Sequence, residues 1–135
     1  MALYEFTEEL SVGITGMDNH HRKLFDIMNK LHEAMKGGKS EEVLIGIIKE
    51  MSDYTRYHFD EEEALMASVN YVGLPAQKAA HKAFIAKIDE FKDQAEGGMA
   101  IFVVTKLAST AADWLKKHIM VMDKQYTEAL KSGGN

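Results

Sequence analysis

Ser40 to Leu65 reads SEEVLIGIIKEMSDYTRYHFDEEEAL. Apolar side chains recur at Leu44, Ile47, Ile48, Met51 and Tyr54, the three- and four-residue steps of a single helix face. The same face continues through His58 and Glu62 to Leu65. An imidazole and a carboxylate four residues apart on a buried helix face point the same way, and together they make half of a metal site. The stretch therefore predicts a long helix, capped by Ser40, whose core stripe turns polar near its far end. Within the acidic run Asp60 to Glu63 only Glu62 continues the stripe, so its neighbours are assigned to the solvated face.

Outward from this helix, the chain's one proline, Pro75, leaves long helices possible. Glycine pairs at Gly37-Gly38, Gly97-Gly98 and Gly133-Gly134, with a looser break from Asn70 to Gly73, read as stops. They predict a first helix from Asp18, its cap, to Lys36, with the stripe Leu24, Phe25, Met28, Leu31 and Met35 that His21 extends. A third helix starts near Leu74, with Pro75 in its first turn, and carries Gln77, His81, Phe84, Ile85, Ile88 and Phe91 on one face. A fourth covers Met99 to Lys131, with Val104, Leu107, Ala108, Ala111, Leu115, His118 and Met122 inward. Residues 1–17 precede these as an arm. Its Leu10, Val12 and Ile14 suggest an extended course over the bundle end, and the tail from Lys131 to Asn135 is expected to fray. The fold expected is all-α: an antiparallel up-down-up-down four-helix bundle in one domain, residues 1–135.

Composition narrows the function. A chain of 135 residues is the size of one domain, and its net charge of −5 disfavours nucleic acid and anionic membranes as partners. No stretch is basic enough to suggest a nucleic-acid surface, and none is apolar for long enough to span a bilayer. The absence of cysteine fits a reducing compartment, and the first twenty residues show no secretory pattern, so a cytoplasmic location is expected.

In an up-down bundle the start of the first helix, the end of the second, the start of the third and the end of the fourth share one end. His21, His58, Glu62, Gln77, His81, His118 and Asp123 all fall there. Each taken singly has a bland explanation: a hydrogen-bonded core histidine, or an acid on a wet face. Four helices that each send a metal-capable group to one level are better explained by a common site. Burying an ionised carboxylate without a partner costs several kcal/mol, and a cation supplies the missing charge. With no sulfur donor, the set suits iron, manganese or zinc. Four histidines and two carboxylates exceed one tetrahedral zinc and suit a dinuclear centre bridged by Glu62 and Asp123. His118 and Asp123 are five residues apart, about 140° around an ideal helix, so Asp123 must reach in from the side or the helix must deform. His20, about 100° from His21, is assigned to solvent or the bundle edge. His32, roughly 16 Å along the stripe from His21, cannot share the site. The nine methionines read as core filler. Trp114, Phe59 and Ile119 are expected to wall the pocket, and Tyr54 and Tyr57 lie near it by spacing.

These residues resemble the hemerythrin family, in particular its single-domain bacterial members. The resemblance runs through Leu10-Ser11-Val12-Gly13-Ile14, then Met17-Asp18-Asn19-His20-His21-Arg22-Lys23-Leu24-Phe25 and Tyr54 to Glu63. It continues in His81-Lys82-Ala83-Phe84, Trp114 to Ile119, and Asp123. It implies a non-haem di-iron centre with an oxo or hydroxo bridge. One iron would take His21 and His58 and keep an open position for dioxygen. The other would take positions 77, 81 and 118, with Glu62 and Asp123 bridging. The family pattern has histidine where this chain has Gln77, a weaker donor.

Three functional classes follow. The first is a dioxygen-binding protein for storage, delivery (oxygen transport) or sensing, with nitric oxide or peroxide as other possible ligands. The second is a di-iron oxidase or peroxidase, favoured by a more open iron next to Gln77. The third is a metal-handling bundle indifferent to oxygen.

Overall fold

The computed structural model describes residues 3–131, so Met1, Ala2 and the tail expected to fray beyond Lys131 lie outside the described residues. Four helical rods form an antiparallel bundle. They comprise α1 (Thr15–Lys36), α2 (Glu41–Ser68), α3 (Leu74–Gln94), and a last rod made of α4 (Ala100–His118) and α5 (Lys124–Lys131). Both α1 and α3 pack against α2 and α4, the arrangement of an up-down-up-down bundle.

The connections follow from local chemistry. Helix α1 ends in a Schellman turn. Gly38 adopts φ 70, Lys39 N–H reaches the Ala34 carbonyl at 3.0 Å, and Gly38 N–H reaches Met35 at 3.1 Å. Ser40 Oγ then accepts Val43 N–H at 3.3 Å and caps α2, as its sequence suggests. Asn70 takes a left-handed φ of 52 after α2, and Pro75 occupies the first turn of α3. Gly98, at φ 98, breaks the helical path in the wide turn 95–99 and lets the chain reverse into α4.

The expected stripes form the core. Leu24, Phe25, Met28 and Leu31 of α1 are at most 2% exposed. They meet Leu44, Ile48 and Met51 of α2, Ile88 of α3, and Val104, Leu107, Ala108 and Ala111 of α4. The small residues on α4 let that rod approach its neighbours closely. Met35 and Ile85, placed on the stripes by spacing, are only partly buried at the rim.

Three expectations change. Helix α1 begins at Thr15, not Asp18, so the arm ends at Ile14 instead of residue 17. Asp18 does not cap α1. From within the first turn its carboxylate reaches back to accept Val12 N–H at 2.9 Å and Ser11 Oγ–H at 2.6 Å, and so pins the arm. The arm also runs back along α1 instead of lying across the bundle end. Tyr4 exchanges two backbone hydrogen bonds with the Asn29 amide, at 2.8 and 2.7 Å, and the Arg22 guanidinium stacks over Phe6. Of the two routes left open for Asp123, the fourth rod takes local deformation of the helix. Residues Ile119–Asp123 form a π turn, in which Lys124 N–H bonds to the Ile119 carbonyl five residues back.

Candidate metal centre

The π turn answers the spacing problem between His118 and Asp123. A turn closed by an i→i+5 hydrogen bond holds more residues than an α turn. It brings residues five apart back to one face, so Asp123 Oδ1 lies 3.1 Å from His118 Nε2. On α2 the ordinary four-residue spacing does the same for His58 Nε2 and Glu62 Oε1, at 3.5 Å.

All seven side chains marked out in the sequence meet at one end of the bundle, and none is more than 5% exposed. His21 Nε2 faces Asp123 Oδ2 at 3.5 Å and Glu62 Oε2 at 3.8 Å. His81 Nε2 approaches Glu62 Oε1 at 3.3 Å and His118 Nε2 at 3.2 Å. Each carboxylate thus touches imidazoles from both sides of the cluster. Gln77 turns inward. Its amide N–H donates to Asp123 Oδ1 at 3.1 Å, which leaves its carbonyl Oε1 buried and free.

Aromatic rings wall the site. Phe59 stacks on His81 with centroids 3.8 Å apart and planes within 2°, and Trp114 stacks on His118 at 4.4 Å. Phe84 lies against the other face of this wall, parallel to Trp114 at 4.0 Å. Ile119 is fully buried next to His118. The stacks fix the planes of two imidazoles and leave little room for water.

Three neighbours escape a reading by spacing alone. Tyr126 donates its hydroxyl to Glu62 Oε2 at 2.7 Å. It follows Asp123 by three residues, a helical step that could have flagged it. The Glu63 carboxylate accepts from His81 Nδ1–H at 2.8 Å, although the stripe rule assigns it to the wet face. Its partner is on another helix, so nothing local in the sequence marks it. His20, assigned to solvent or the edge, is half-buried and lies 2.9 Å from His58, Nδ1 to Nδ1. His32 stays away from the cluster, edge-on to Tyr4 at 6.5 Å.

The electrostatics favour a cation. Burial works against the His21 imidazolium, yet the carboxylates of Asp123 and Glu62 raise its pKa to about 9. Burial lowers His58 to about 4, against the pull of Glu62. Burial also opposes ionisation of Glu62, but His58, His21 and His81 outweigh it and hold the carboxyl well below its ordinary value. Tyr126 is driven upward by burial and by the charges of Glu62 and Asp123, so it stays a phenol and a donor.

The residues fit a metal on a simple count of polar atoms. His21 Nε2, His58 Nε2, Glu62 Oε1, Gln77 Oε1 and Asp123 Oδ2 are buried with no hydrogen-bond partner among the described residues. Leaving such groups unpaired costs about 1–3 kcal/mol each, more for charged ones. These five lie in the cluster, where a cation satisfies donors of this kind; His21 Nδ1 and, outside the cluster, His32 Nδ1 are also buried without a hydrogen-bond partner among the described residues.

Comparison with known proteins agrees with this geometry. Residues 12–130 match the family described as "Hemerythrin HHE cation binding domain". The chain is 34% identical to a bacteriohemerythrin of Clostridium acetobutylicum over 137 residues, covering 93% of this chain and 100% of that one. It is 32% identical to a bacteriohemerythrin of Methylococcus capsulatus, covering 98% and 100%. A crystal structure of wild-type hemerythrin superposes with a TM-score of 0.88 at 28% identity, over 96% of this chain and 98% of that chain. Both the buried donor cluster and the alignment along nearly the whole sequence lead to one conclusion: the chain belongs to the hemerythrin family of cation-binding proteins.

Proposed function

We propose that this chain is a non-haem di-iron protein that binds dioxygen reversibly. The observation that carries the reading is the overlap of two donor sets inside one dry pocket. His21, His58 and Glu62 form one set, and Glu62, His81, His118 and Asp123 form the other. A single cation would leave part of this set uncompensated, because each carboxylate faces imidazoles of both halves. An all-nitrogen and oxygen donor set suits iron.

His21 and His58 would hold one iron, and His81, His118 and Gln77 Oε1 the other. Glu62 and Asp123, each near imidazoles of both halves, would serve both metals. The His21–His58 side offers fewer protein donors and would be the side that takes dioxygen. Iron held by these residues would supply the redox chemistry for reversible dioxygen binding. The protein's own part is to orient and to exclude. Phe59 and Trp114 hold His81 and His118 in plane, Tyr126 steadies Glu62, and the buried walls keep bulk water from the pocket. The names of the relatives, bacteriohemerythrins and a myohemerythrin of Phascolopsis gouldii, support the same reading.

Iron quantitation combined with an anaerobic-to-aerobic absorption titration tests it. The expected result is two irons per chain and a spectral change that reverses when oxygen is removed. One iron or none, or spectra indifferent to oxygen, would defeat it. Gln77 favours a second reading, a di-iron oxidase or peroxidase, because an amide oxygen is a weaker donor than an imidazole and leaves its iron more open. Sustained peroxide turnover with an electron donor would select that reading over reversible carriage.

A further inference from the structure

We propose that His20 is a positioning residue for His58: it accepts the His58 Nδ1–H and so keeps the Nε2 lone pair of that imidazole turned toward the metal. The inference rests on the metal-centre reading above.

The argument is one of hydrogen count. The two Nδ1 atoms are 2.9 Å apart, and only one of them can carry the hydrogen between two neutral rings. If His20 were the donor, His58 would carry its own hydrogen on Nε2. That atom is buried and has no hydrogen-bond partner among the described residues, and a protonated nitrogen cannot ligate. If His58 is the donor, its Nε2 presents a lone pair to the centre, alongside His21 Nε2 and Glu62. Only this second arrangement makes His58 a ligand.

The surroundings of His20 hold it to this task. Its ring packs against Tyr57, at 5.4 Å, and Tyr54, at 5.9 Å, which touch each other at 5.6 Å, and it meets the His58 ring nearly at right angles, at 82°. Tyr54 and Tyr57 precede His58 by one helical turn and by one residue, so α2 carries both the proposed ligand and the rings against which its partner packs. The opposite half of the centre is backed differently: His81 Nδ1 meets the Glu63 carboxylate at 2.8 Å. A carboxylate behind a metal-bound imidazole makes it a stronger donor than a neutral ring does. The chain thus gives its two half-sites unequal support, with the weaker push on the side proposed to take dioxygen.

The test uses cobalt(II) as the probe metal, with a chelator in competition, on the full-length wild type, His20→Ala and His20→Asn. Asparagine offers a carbonyl oxygen near the place of the lost Nδ1. His20→Ala is expected to weaken one of the two cobalt equivalents about 10–100-fold and leave the other unchanged. His20→Asn is expected to recover most of that loss, and the visible cobalt bands of the affected equivalent should follow the same order. Far-ultraviolet circular dichroism checks that all three are folded. If folded His20→Ala matches the wild type at both equivalents, or if Ala and Asn weaken binding equally, the positioning role is overturned while the metal centre stands. If the wild type takes up no cobalt, the metal-centre reading fails and this inference with it.

Discussion

His118 and Asp123 face the same point, 3.1 Å apart, although five residues separate them on a helical rod. The π turn between them absorbs one residue more than an α turn would hold. Deleting the exposed Val121 should therefore convert the pair to the four-residue spacing that His58 and Glu62 already use, and keep Asp123 directed inward. Inserting an alanine after Val121 should instead rotate α5 by about 100°. We expect metal uptake to survive the deletion and to fall by at least one equivalent on insertion, with helical content retained in both. Metal-to-protein ratios and circular dichroism read the two outcomes.

The phenol of Tyr126 is a hydrogen-bond donor to a buried, charged carboxylate. Tyr126→Phe keeps the ring packing and removes that donor alone. Hydrogen bonds to charged groups contribute about 1.5–3 kcal/mol. The metal-free variant should unfold at correspondingly lower denaturant concentration with an unchanged slope. An unaltered midpoint would mean that Glu62 does not depend on this hydroxyl.

Much of this arrangement is written in helical spacing. The stripes of α1 to α4 follow from steps of three and four residues, the cap at Ser40 and the stop at Gly37-Gly38 from residue type, and the common level of the seven side chains from the up-down order of the rods, with Asp123 brought in by the π turn. What spacing hides falls into two kinds. One is contact between helices: Glu63 with His81, and His20 with His58, depend on how neighbouring rods are rotated. The other is local choice between equivalent uses of one side chain. Asp18 near a helix start reads as a cap, yet it serves the arm because α1 begins three residues earlier.

Gln77 turns an unpaired Oε1 into the donor cluster, which makes a direct prediction. Gln77→His replaces an amide oxygen with an imidazole nitrogen, the better donor for iron. Resistance of the more labile metal to a chelator should rise by about tenfold, within the range that changes around metal sites produce. Autoxidation of the oxygenated protein should slow in step. Equal chelator half-lives for the two proteins would show that Gln77 is not a weak point.

Asp18 satisfies the Val12 N–H and the Ser11 hydroxyl together. Asp18→Ala leaves both without that acceptor, at a cost of about 1–3 kcal/mol for the buried amide. We expect faster amide exchange at Val12 and faster protease cleavage between Phe6 and Gly13, with α2 and α3 exchange unchanged. Uniform acceleration throughout the bundle would show that Asp18 supports the whole fold and not the arm alone.

The donors span His21 to Asp123, with members on every rod. No fragment that stops short of the π turn can bring Glu62 and Asp123 together. During synthesis the first three rods can emerge and begin to associate while the pocket still lacks His118 and Asp123. The group His21, His58 and Glu62 is complete on the first two rods, whereas the group Glu62, His81, His118 and Asp123 closes only when the last rod docks.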